Sequence, residues 1–280
     1  MNVLVLGSGK GSFEVRGRQL GAALGAIVSS RPDRLQWADV VVLIKRADPA
    51  WAELARRAGK AVVWDALDFW QQPEHNAASE AEALALLTAE VARYQSDLVI
   101  GATQAMAAAC GGAYLPHHSR PNLTTGPVRD YVGVVAYEGT RKYLGQWGKA
   151  AERACAVRGW RFVVNPPDLR DADIVLALRD GEHDGSICRE WKSGVKLVNA
   201  IASGRPVVSQ DSAAWREIAP DGTLVQDVSD LDGAFEAWTD REARSRVARG
   251  SALRAAEFAL PTIAGRYRDL LFRVHLGLAA

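Results

Sequence analysis

A segment spanning residues 171–210 constrains the fold more than any other part of the sequence. The apolar run at 173–178 is short enough for a buried strand, and a second such run follows at 206–209. Between them, residues 196–202 have the apolar spacing of a helix, and Gly204 ends it. Two buried strands joined by a helix make a βαβ unit, whose strands are parallel and whose crossover is right-handed. The sequence therefore predicts an α/β protein.

The connection that enters this helix has the composition of an anion site. Residues 180–194 are polar and include three glycines, and they lead directly into the helix. The unpaired N–H groups at Ser193, Gly194 and Val195 lie at the positive end of the helix dipole, with Lys192 and Lys196 beside them. This combination suits a phosphate. An ordinary connection with two solvated lysines is the alternative.

The string K-L-V-N-A-I-A-S-G-R-P-V-V at 196–208 resembles the K-L-x-E-A-M-A-x-G-x-P-V-V signature of retaining, nucleotide-sugar-dependent glycosyltransferases of the GT-B fold. In that family the helix N-terminus holds the donor diphosphate, and the Glu of E-A-M-A binds the nucleotide ribose. Asn199 stands at that Glu position here, and Trp191 stands where the family has a second acid. Glu190 is the nearest carboxylate. The resemblance thus implies donor contacts by Lys192, Ser193, Lys196 and Asn199, and a catalytic role for Glu190.

Composition excludes several other classes. With 34 Lys+Arg against 33 Asp+Glu, no global basic field indicates nucleic acid or an anionic membrane. Cys110, Cys155 and Cys188 are widely spaced without a C-x-x-C pair, which favours reduced thiols in a cytoplasmic protein and no zinc site. Met1 leads directly into a predicted strand, so we expect no signal peptide, and no apolar run is long enough to span a bilayer.

A glycine-rich turn follows the first predicted strand, at residues 7–12. Its pattern is G-x-G-x-G, and the acid that binds ribose in dinucleotide-binding proteins is absent after the second strand. The continuation R-x-x-Q-L-x-x-A-L-G at 16–25 also resembles the GT-B enzymes, in which this loop touches donor phosphate or acceptor. The resemblance implies donor contacts by Gly9 and Gly11 and acceptor contacts by a second set. That second set comprises Lys10, Glu14 and Arg16, and a solvated helix face is the alternative for Arg16.

Two carboxylates follow the predicted strand at 61–64. The carboxyl end of a parallel strand is where α/β proteins bind their ligands. The segment D-A-L-D-F-W at 65–70 resembles a GT-B segment near the active site. We expect Asp65 to contact an acceptor, with capping of the next turn as the alternative. We expect Asp68 to position the acceptor or to act as a general base.

A vicinal histidine pair, His117 and His118, precedes the predicted interdomain connection. Neighbouring side chains of an extended segment point to opposite faces, so the pair is poorly arranged for a metal, and we predict no metal site. The resemblance places this segment beside the interdomain cleft, where His118 could contact phosphate or act as a base. The alternative is a hydrogen-bonded linker histidine.

A second α/β unit is predicted from the strand at 131–137. Residues 138–144, E-G-T-R-K-Y-L, resemble the opening of the nucleotide-sugar domain in the same family. The resemblance implies a second phosphate site at Gly139, Thr140 and Lys142. Arg179, which follows the predicted strand at 173–178, also belongs to this donor set. Leu270, Leu271 and Val274 lie on an apolar stripe of the last predicted helix, 262–276.

The resemblance implies a GT-B fold with two Rossmann-like domains of parallel sheets facing a cleft. The predicted domains are 1–123 on the acceptor side and 124–262 on the nucleotide-sugar side, with a helix at 263–280 that crosses back to the first. The implied activity is transfer of a hexose or pentose from a nucleotide-sugar donor without a metal or other cofactor, with retention of configuration. The acceptor class stays open among glycans, lipids, small molecules, proteins and nucleic acids. Two alternatives are a GT-B-like binding protein without catalysis and an NAD(P)-dependent enzyme that uses the glycine-rich turn.

Overall fold

The structure is a computed structural model that describes residues 1–9, 11–68, 79–180, 186–219 and 221–278, with the backbone alone at 186–188. The chain divides into two compact units. The first unit comprises Met1–His117, Glu190–Ser193 and Leu260–Ala280. The second unit comprises His118–Arg189 and Gly194–Ala259. Among the described residues, no helix combines the length and the apolar character that crossing a membrane requires.

The first unit is built on a six-stranded parallel sheet with the strand order β2-β1-β3-β4-β5-β6. The apolar runs of the sequence form its central strands, which are buried as parallel strands covered on both faces must be. The strands are β1 (Val3–Leu6), β2 (Ile27–Ser29), β3 (Val40–Ile44), β4 (Ala61–Leu67), β5 (Leu98–Gly101) and β6 (Ala113–Tyr114).

Helices connect these strands and begin at clear sequence signals. Asp48, Ser79 and Thr103 each accept a backbone N–H at a helix N-terminus, as short polar N-cap residues do. The C-terminal helix packs in the core of this unit through Ile263, Tyr267 and other apolar side chains. The helices are α1 (Leu20–Leu24), α2 (Pro49–Arg57), α3 (Glu80–Tyr94), α4 (Gln104–Ala109) and, by its number along the whole chain, α11 (Leu260–His275).

The second unit is built on a five-stranded parallel sheet with the strand order β11-β10-β9-β7-β8. Its strands are β7 (Val134–Tyr137), β8 (Arg161–Val164), β9 (Ile174–Ala177), β10 (Val207–Ser209) and β11 (Thr223–Leu224). Its helices are α5 (Gln146–Val157), α7 (Val195–Ser203), α8 (Ala213–Ile218), α9 (Leu231–Glu236) and α10 (Arg241–Arg254), and α6 (Ser186–Trp191) precedes α7.

When the strands of each unit are numbered along the chain, the second sheet has the order 2-1-3-4-5, and the first sheet has the same order with a sixth strand after the fifth. In such sheets the connections leave in opposite directions after the first and third strands, which opens a crevice at their carboxyl ends. That crevice is the usual ligand site of an open α/β sheet. We therefore expect ligand contacts from the residues that follow β1 and β3 in the first unit and β7 and β9 in the second.

Three local predictions differ from the structure. The predicted helix at 14–24 begins as a π-helix, Phe13–Gln19, and continues as α1. The predicted loop at 180–194 contains the helix α6, whose Trp191 is buried. Strand β4 continues three residues beyond the predicted end at Trp64, so that Asp65 lies within the strand. A carboxylate can lie there because Arg16 and Tyr267 contact it.

Candidate functional site

Helix α7 of the second unit begins where the sequence predicts a phosphate site. Gly194 is its N-cap residue, and no described side chain caps its first turn. A β-carbon at Gly194 would lie 2.4 Å from Cδ1 of Ile218, so a larger residue there would displace the end of that side chain on α8. The ammonium of Lys196 lies 5.2 Å from the ring centroid of Tyr137, within cation–π distance. The helix thus presents its N–H groups with a lysine fixed on a buried ring.

Asn199, in the middle of α7, is part of a polar cluster with Glu138 and Arg120. Its Nδ2 donates to Oε2 of Glu138 at 2.9 Å, and its Oδ1 accepts the backbone N–H of Arg120 at 2.8 Å. The guanidinium of Arg120 donates to the other carboxylate oxygen of Glu138. Glu138 is the first residue after β7, at the crevice of the second sheet. A carboxylate therefore lies against the amide at the position that carries an acid in the family signature.

The loop after Glu138 is held by one side chain. Oδ1 of Asn165 accepts the N–H of Gly139 at 2.7 Å, and its Nδ2 donates to the Gly139 carbonyl at 3.0 Å. Gly139 has φ 140°, and a β-carbon there would lie 3.1 Å from Oη and 3.3 Å from Cε1 and Cζ of Tyr137. Thr140 follows as the N-cap residue of a short 3₁₀ helix, Arg141–Leu144.

The N-terminus of α5 is occupied by the chain's own carboxylate. Oδ2 of Asp180 accepts the backbone N–H of Gln146 at 3.2 Å, and the Asp180 N–H donates to the carbonyl of Tyr143 at 2.8 Å. Lys142 and Arg179 both lie over the ring of Tyr143, at 5.2 and 5.6 Å from its centroid. Two of the four predicted donor-binding cations therefore lie over one aromatic ring.

In the first unit, Asp68 lies between two lysines. Its Oδ1 accepts from Nζ of Lys45 at 2.5 Å, and its Oδ2 lies 3.8 Å from Nζ of Lys192. The three side chains are 9–15% exposed, so the charges are only partly screened by water. Of the two lysines, only Lys192 belongs to the predicted set.

The backbone of Lys45 is strained and firmly held. Lys45 is the first residue after β3 and has φ 48°, a left-handed conformation that a residue with a β-carbon adopts at a cost of about 1–3 kcal/mol. Its N–H donates to the carbonyl of Asp65 at 2.8 Å, while Trp64 Nε1 and Tyr94 Oη each donate to its carbonyl at 3.0 Å. Three hydrogen bonds thus fix a conformation that points the ammonium at Asp68.

The glycine-rich turn of the first unit uses the conformational freedom of glycine at two positions. Gly9 and Gly11 have φ 86° and 76°, and a β-carbon at either would meet no atom within 4 Å. Glu14 forms an exposed ion pair with Arg18 at 2.9 Å. The turn is therefore open on its outer side, as a ligand loop requires. Lys10 lies outside the described residues.

The structure argues against direct acceptor contacts by Arg16 and Asp65. Both side chains are fully buried, with Nε of Arg16 3.7 Å from Oδ2 of Asp65. Arg16 also donates to the carbonyl of Leu115, and Tyr267 Oη donates to Oδ2 of Asp65 at 3.0 Å. Burial raises the pKa of Asp65, and the nearby Arg16 charge opposes this rise. The pair joins the π-helix, β4 and α11 inside the core, out of reach of a ligand.

The remaining predicted residues lie in different surroundings. Glu190 and Ser193 belong to the first unit, where the Glu190 carbonyl accepts from Oγ1 of Thr103 at 3.1 Å. His118 belongs to the second unit and is buried, with its Nδ1 2.7 Å from the carbonyl oxygen of Ser119. Within the described ranges, no three His, Cys, Asp or Glu side chains are grouped as metal ligands would be.

Solved structures resemble this chain over nearly its whole length. AviGT4, a glycosyltransferase involved in avilamycin A biosynthesis, is 17% identical with a TM-score of 0.60, covering 99% of each chain. A UDP-forming α,α-trehalose-phosphate synthase from Burkholderia vietnamiensis is 12% identical with a TM-score of 0.63, covering 93% of this chain and 76% of that one. The spinosyn rhamnosyltransferase SpnG is 13% identical with a TM-score of 0.54, covering 96% of this chain and all of the other.

This chain has the GT-B fold. The predicted fold class is confirmed by two parallel sheets with flanking helices and by these structural neighbours. No family model matches the sequence, and no curated protein matches it.

Sequence reasoning missed four polar residues of the GT-B units. Lys45, Glu138, Arg120 and Asp180 take part in the contacts described above, and none was predicted as a site residue. A positional signal was present for two of them. Lys45 is the last residue of the strand that the sequence predicts at 38–45, and Glu138 follows the strand predicted at 131–137. In the structure both residues follow a strand directly, as Asp68 does. The first residue after a parallel strand faces the ligand edge of the sheet.

Proposed function

We propose that this protein is a glycosyltransferase that transfers a sugar from a nucleotide-sugar donor to an acceptor. The contact between Glu138 and Asn199 carries the proposal, because it brings a carboxylate to the signature helix at the position where the resemblance requires a ribose ligand. The GT-B fold of the chain and the glycosyltransferase names of its structural neighbours support the same reading.

The proposed donor site lies in the second unit. The N–H groups at the start of α7 and the ammonium of Lys196 bind the diphosphate, and Glu138 with Asn199 accepts and donates hydrogen bonds to the ribose hydroxyls. Lys142 and Arg179 add positive charge near the loop that Gly139 begins. These cations stabilise the charge that develops on the departing diphosphate, which is the main electrostatic demand of the reaction.

The proposed acceptor side lies in the first unit, at the carboxyl ends of β3 and β4. Asp68, fixed by Lys45, accepts a hydrogen bond from an acceptor hydroxyl and positions it. Glu190 and His118 stay candidates for further catalytic contacts on the basis of the resemblance. Retention of the anomeric configuration is proposed on the same basis.

The experiment measures melting temperatures with a panel of UDP, GDP, ADP, CMP and TDP sugars, beside NAD and NADP. A ligand at about 100 times its dissociation constant stabilises a protein by roughly 2.7 kcal/mol, which gives a measurable shift. We expect one sugar nucleotide to stabilise the protein and Lys196→Ala to abolish the effect. Lys149→Ala, an exposed lysine on α5 of the same unit, is the matched control and keeps the effect.

The outcomes separate the alternatives. Release of nucleoside diphosphate from the stabilising sugar nucleotide supports the transferase. Binding without any release, in the presence of glycan, lipid and small-molecule acceptors, indicates a binding protein. Stabilisation by NAD or NADP alone contradicts the proposal and favours a dinucleotide-dependent enzyme.

A further inference from the structure

A cavity of about 540 Å³ lies in the second unit, apart from the proposed donor site. Strands β10 and β11 begin at its wall, with Val207 and Thr223, and the C-terminal part of α7 contributes Ile201. Helix α10 forms another wall. The cavity therefore opens at the amino edge of the sheet, whereas the N-terminus of α7 and Glu138 lie at the carboxyl edge. Helix α7 has nine residues, so the two ends are roughly 13 Å apart.

The charges of the cavity wall favour an anion. Three arginines line it, Arg205, Arg246 and Arg254, against one carboxylate, Asp221. Arg205 is 3% exposed, and both terminal nitrogens of its guanidinium donate to backbone carbonyls, those of Pro127 and Arg170. Burial lowers the pKa of Arg205, and the charge of Asp173 opposes this fall. Among the described residues, no carboxylate forms an ion pair with Arg205. A buried guanidinium without a directly paired anion leaves the wall positive.

The other two arginines lie nearer to water. Nη1 of Arg254 donates to the carbonyl of Ile218 at 2.7 Å, and its Nε lies 3.8 Å from the exposed Glu257. Arg246 is exposed on α10. Arg249 donates to Glu242 on the same helix at 2.8 Å, and the charges of Arg249 and Arg246 both lower the pKa of that carboxyl. Within the described ranges, Arg246 is thus a cation at the cavity without a hydrogen-bond partner, and its charge is only partly offset by Glu242.

Much of the rest of the wall is apolar, beside the hydroxyl-bearing residues Thr223 and Ser251. Ile201, Val207, Ala243 and Val247 line it together with the indole of Trp238. The volume is in the range of sites for small organic ligands, which are mostly apolar with a few placed polar groups. Inorganic phosphate alone would leave this apolar surface exposed to water. The complementary ligand therefore has one anionic head and an apolar body.

We propose that this cavity binds a small organic anion, a phosphomonoester or carboxylate on an apolar ring, at a site separate from the donor site. The head lies against Arg246 and Arg254, and the ring lies against Val207, Val247 and Trp238. The proposal does not depend on glycosyl transfer, because it rests on the shape and charge of a different edge of the sheet.

The test is calorimetric titration of the full chain with 1-naphthyl phosphate and 1-naphthoate, beside 1-naphthalenemethanol and inorganic phosphate. We expect at least one naphthyl anion to bind at least tenfold more tightly than the neutral alcohol and than inorganic phosphate. The stronger of the two anions identifies the head group. Failure of both anions to bind, or equal binding of the alcohol, overturns the proposal.

Matched variants locate the binding. Arg246→Glu reverses the charge at the cavity and is expected to weaken binding at least tenfold. Arg153→Glu makes the same change at an exposed arginine of α5 in the same unit, outside the cavity lining, and is expected to keep the affinity within about twofold. Equal losses in the two variants indicate a general charge effect and contradict the site.

A second pair of variants distinguishes loss of binding from loss of folding. A β-carbon at Gly250, which lines the cavity, meets no atom within 4 Å, and Gly265 on α11 has the same freedom. Gly250→Leu is expected to obstruct the cavity without lowering the melting temperature, because leucine favours a helix more than glycine does. Gly265→Leu keeps the binding. The sugar nucleotide of the donor panel should not compete with the naphthyl anion, and competition between them contradicts a separate site.

Discussion

Nδ2 of Asn199 donates a 2.9 Å hydrogen bond to Oε2 of Glu138, joining the signature helix to the first residue after β7. The amide and the carboxylate are 61 positions apart in the chain. The family signature has its acid on the helix, whereas this chain has it on the neighbouring strand end. A carboxylate therefore lies beside this helix position even though Asn199 stands where the signature has its acid.

Glu138→Gln is the first test of this relationship. A hydrogen bond to a charged group contributes about 1.5–3 kcal/mol, more than a neutral one. We expect the affinity for the nucleoside diphosphate of the true donor to fall roughly tenfold or more, as measured by calorimetric titration. The preference for ribose over 2′-deoxyribose should shrink in the same variant. Glu152→Gln, which changes an exposed glutamate of α5, is the control and should bind as the parent does.

An exchange of Glu138 and Asn199 is a stricter test of whether the two residues act as a pair. Asn199→Glu alone places two carboxylates side by side, and their repulsion should weaken nucleotide binding and folding. Glu138→Gln combined with Asn199→Glu restores one acid and one amide in reversed positions. Recovery of most of the affinity in the double variant is the expected result. Independent, additive losses in the two variants would show that the residues do not act as a pair.

The sequence predicted the apolar elements well because their signals are local. Strands β3 and β9 lie within one or two residues of the predicted limits, as expected for short buried runs bounded by polar residues. Helix α7 also agrees, since Gly204 ends it in the left-handed conformation that glycine adopts easily. The glycine-rich turn and Asp68 could likewise be placed at strand ends from their order along the chain.

The polar contacts could not be predicted in this way, because their partners are distant in sequence. Asp65 belongs to a buried strand only because Arg16 and Tyr267 meet it there, and Tyr267 is 202 positions away. Without those partners, a carboxylate at the end of an apolar run predicts a turn or a ligand contact. Glu138, Lys45 and Asp180 similarly acquire their roles from tertiary neighbours rather than from a motif.

Lys45→Met tests how much the ion pair between Lys45 and Asp68 contributes to stability. The variant keeps the left-handed backbone but removes an ion pair whose side chains are 15% and 9% exposed. We expect the free energy of unfolding to fall by about 1–3 kcal/mol, between the values of exposed and fully buried pairs. Urea denaturation measures it. Lys45→Gly should lose less, because glycine adopts this φ without strain.

The control for this prediction is Lys149→Met, which changes an exposed lysine of α5 and should alter the unfolding free energy by less than about 0.5 kcal/mol. A Lys45→Gly variant that is less stable than Lys45→Met would show that the backbone conformation of Lys45 is not a source of strain.

Tyr267→Phe is expected to destabilise the first unit in a pH-dependent way. Burial raises the pKa of Asp65 above its ordinary value of 3.8, so the ionised carboxylate lowers stability above the raised pKa, and this effect disappears as the pH falls through it. The hydroxyl of Tyr267 stabilises that ionised form. We expect a loss of about 1.5–3 kcal/mol above the raised pKa, where Asp65 is ionised, and a smaller loss below it, where Asp65 is neutral.

Melting temperatures of Tyr267→Phe and the parent protein, compared across this pH range, check the sign. Tyr131→Phe is the control, since Tyr131 is 75% exposed and the change should have little effect at any pH. A loss in Tyr267→Phe that stays constant, or that grows toward acid pH, would contradict ionisation of the buried Asp65.

Gly145→Ala tests the carboxylate that occupies the N-terminus of α5. Gly145 has φ 48°, and a β-carbon there would lie 1.4 Å from Oδ2 of Asp180, so alanine strains the backbone and displaces the carboxylate. We expect the free energy of unfolding to fall by about 1–3 kcal/mol from strain and by roughly 0.5–2 kcal/mol from the lost cap, as measured by urea denaturation.

Asp180→Ala alone should show only the loss from the cap. The double variant, Gly145→Ala with Asp180→Ala, should lose less than the sum of the two single losses, because the cap can be lost only once. Gly148→Ala, whose β-carbon meets Leu144 at an ordinary 3.4 Å, should be neutral or stabilising. Strict additivity in the double variant would mean that Asp180 does not cap α5.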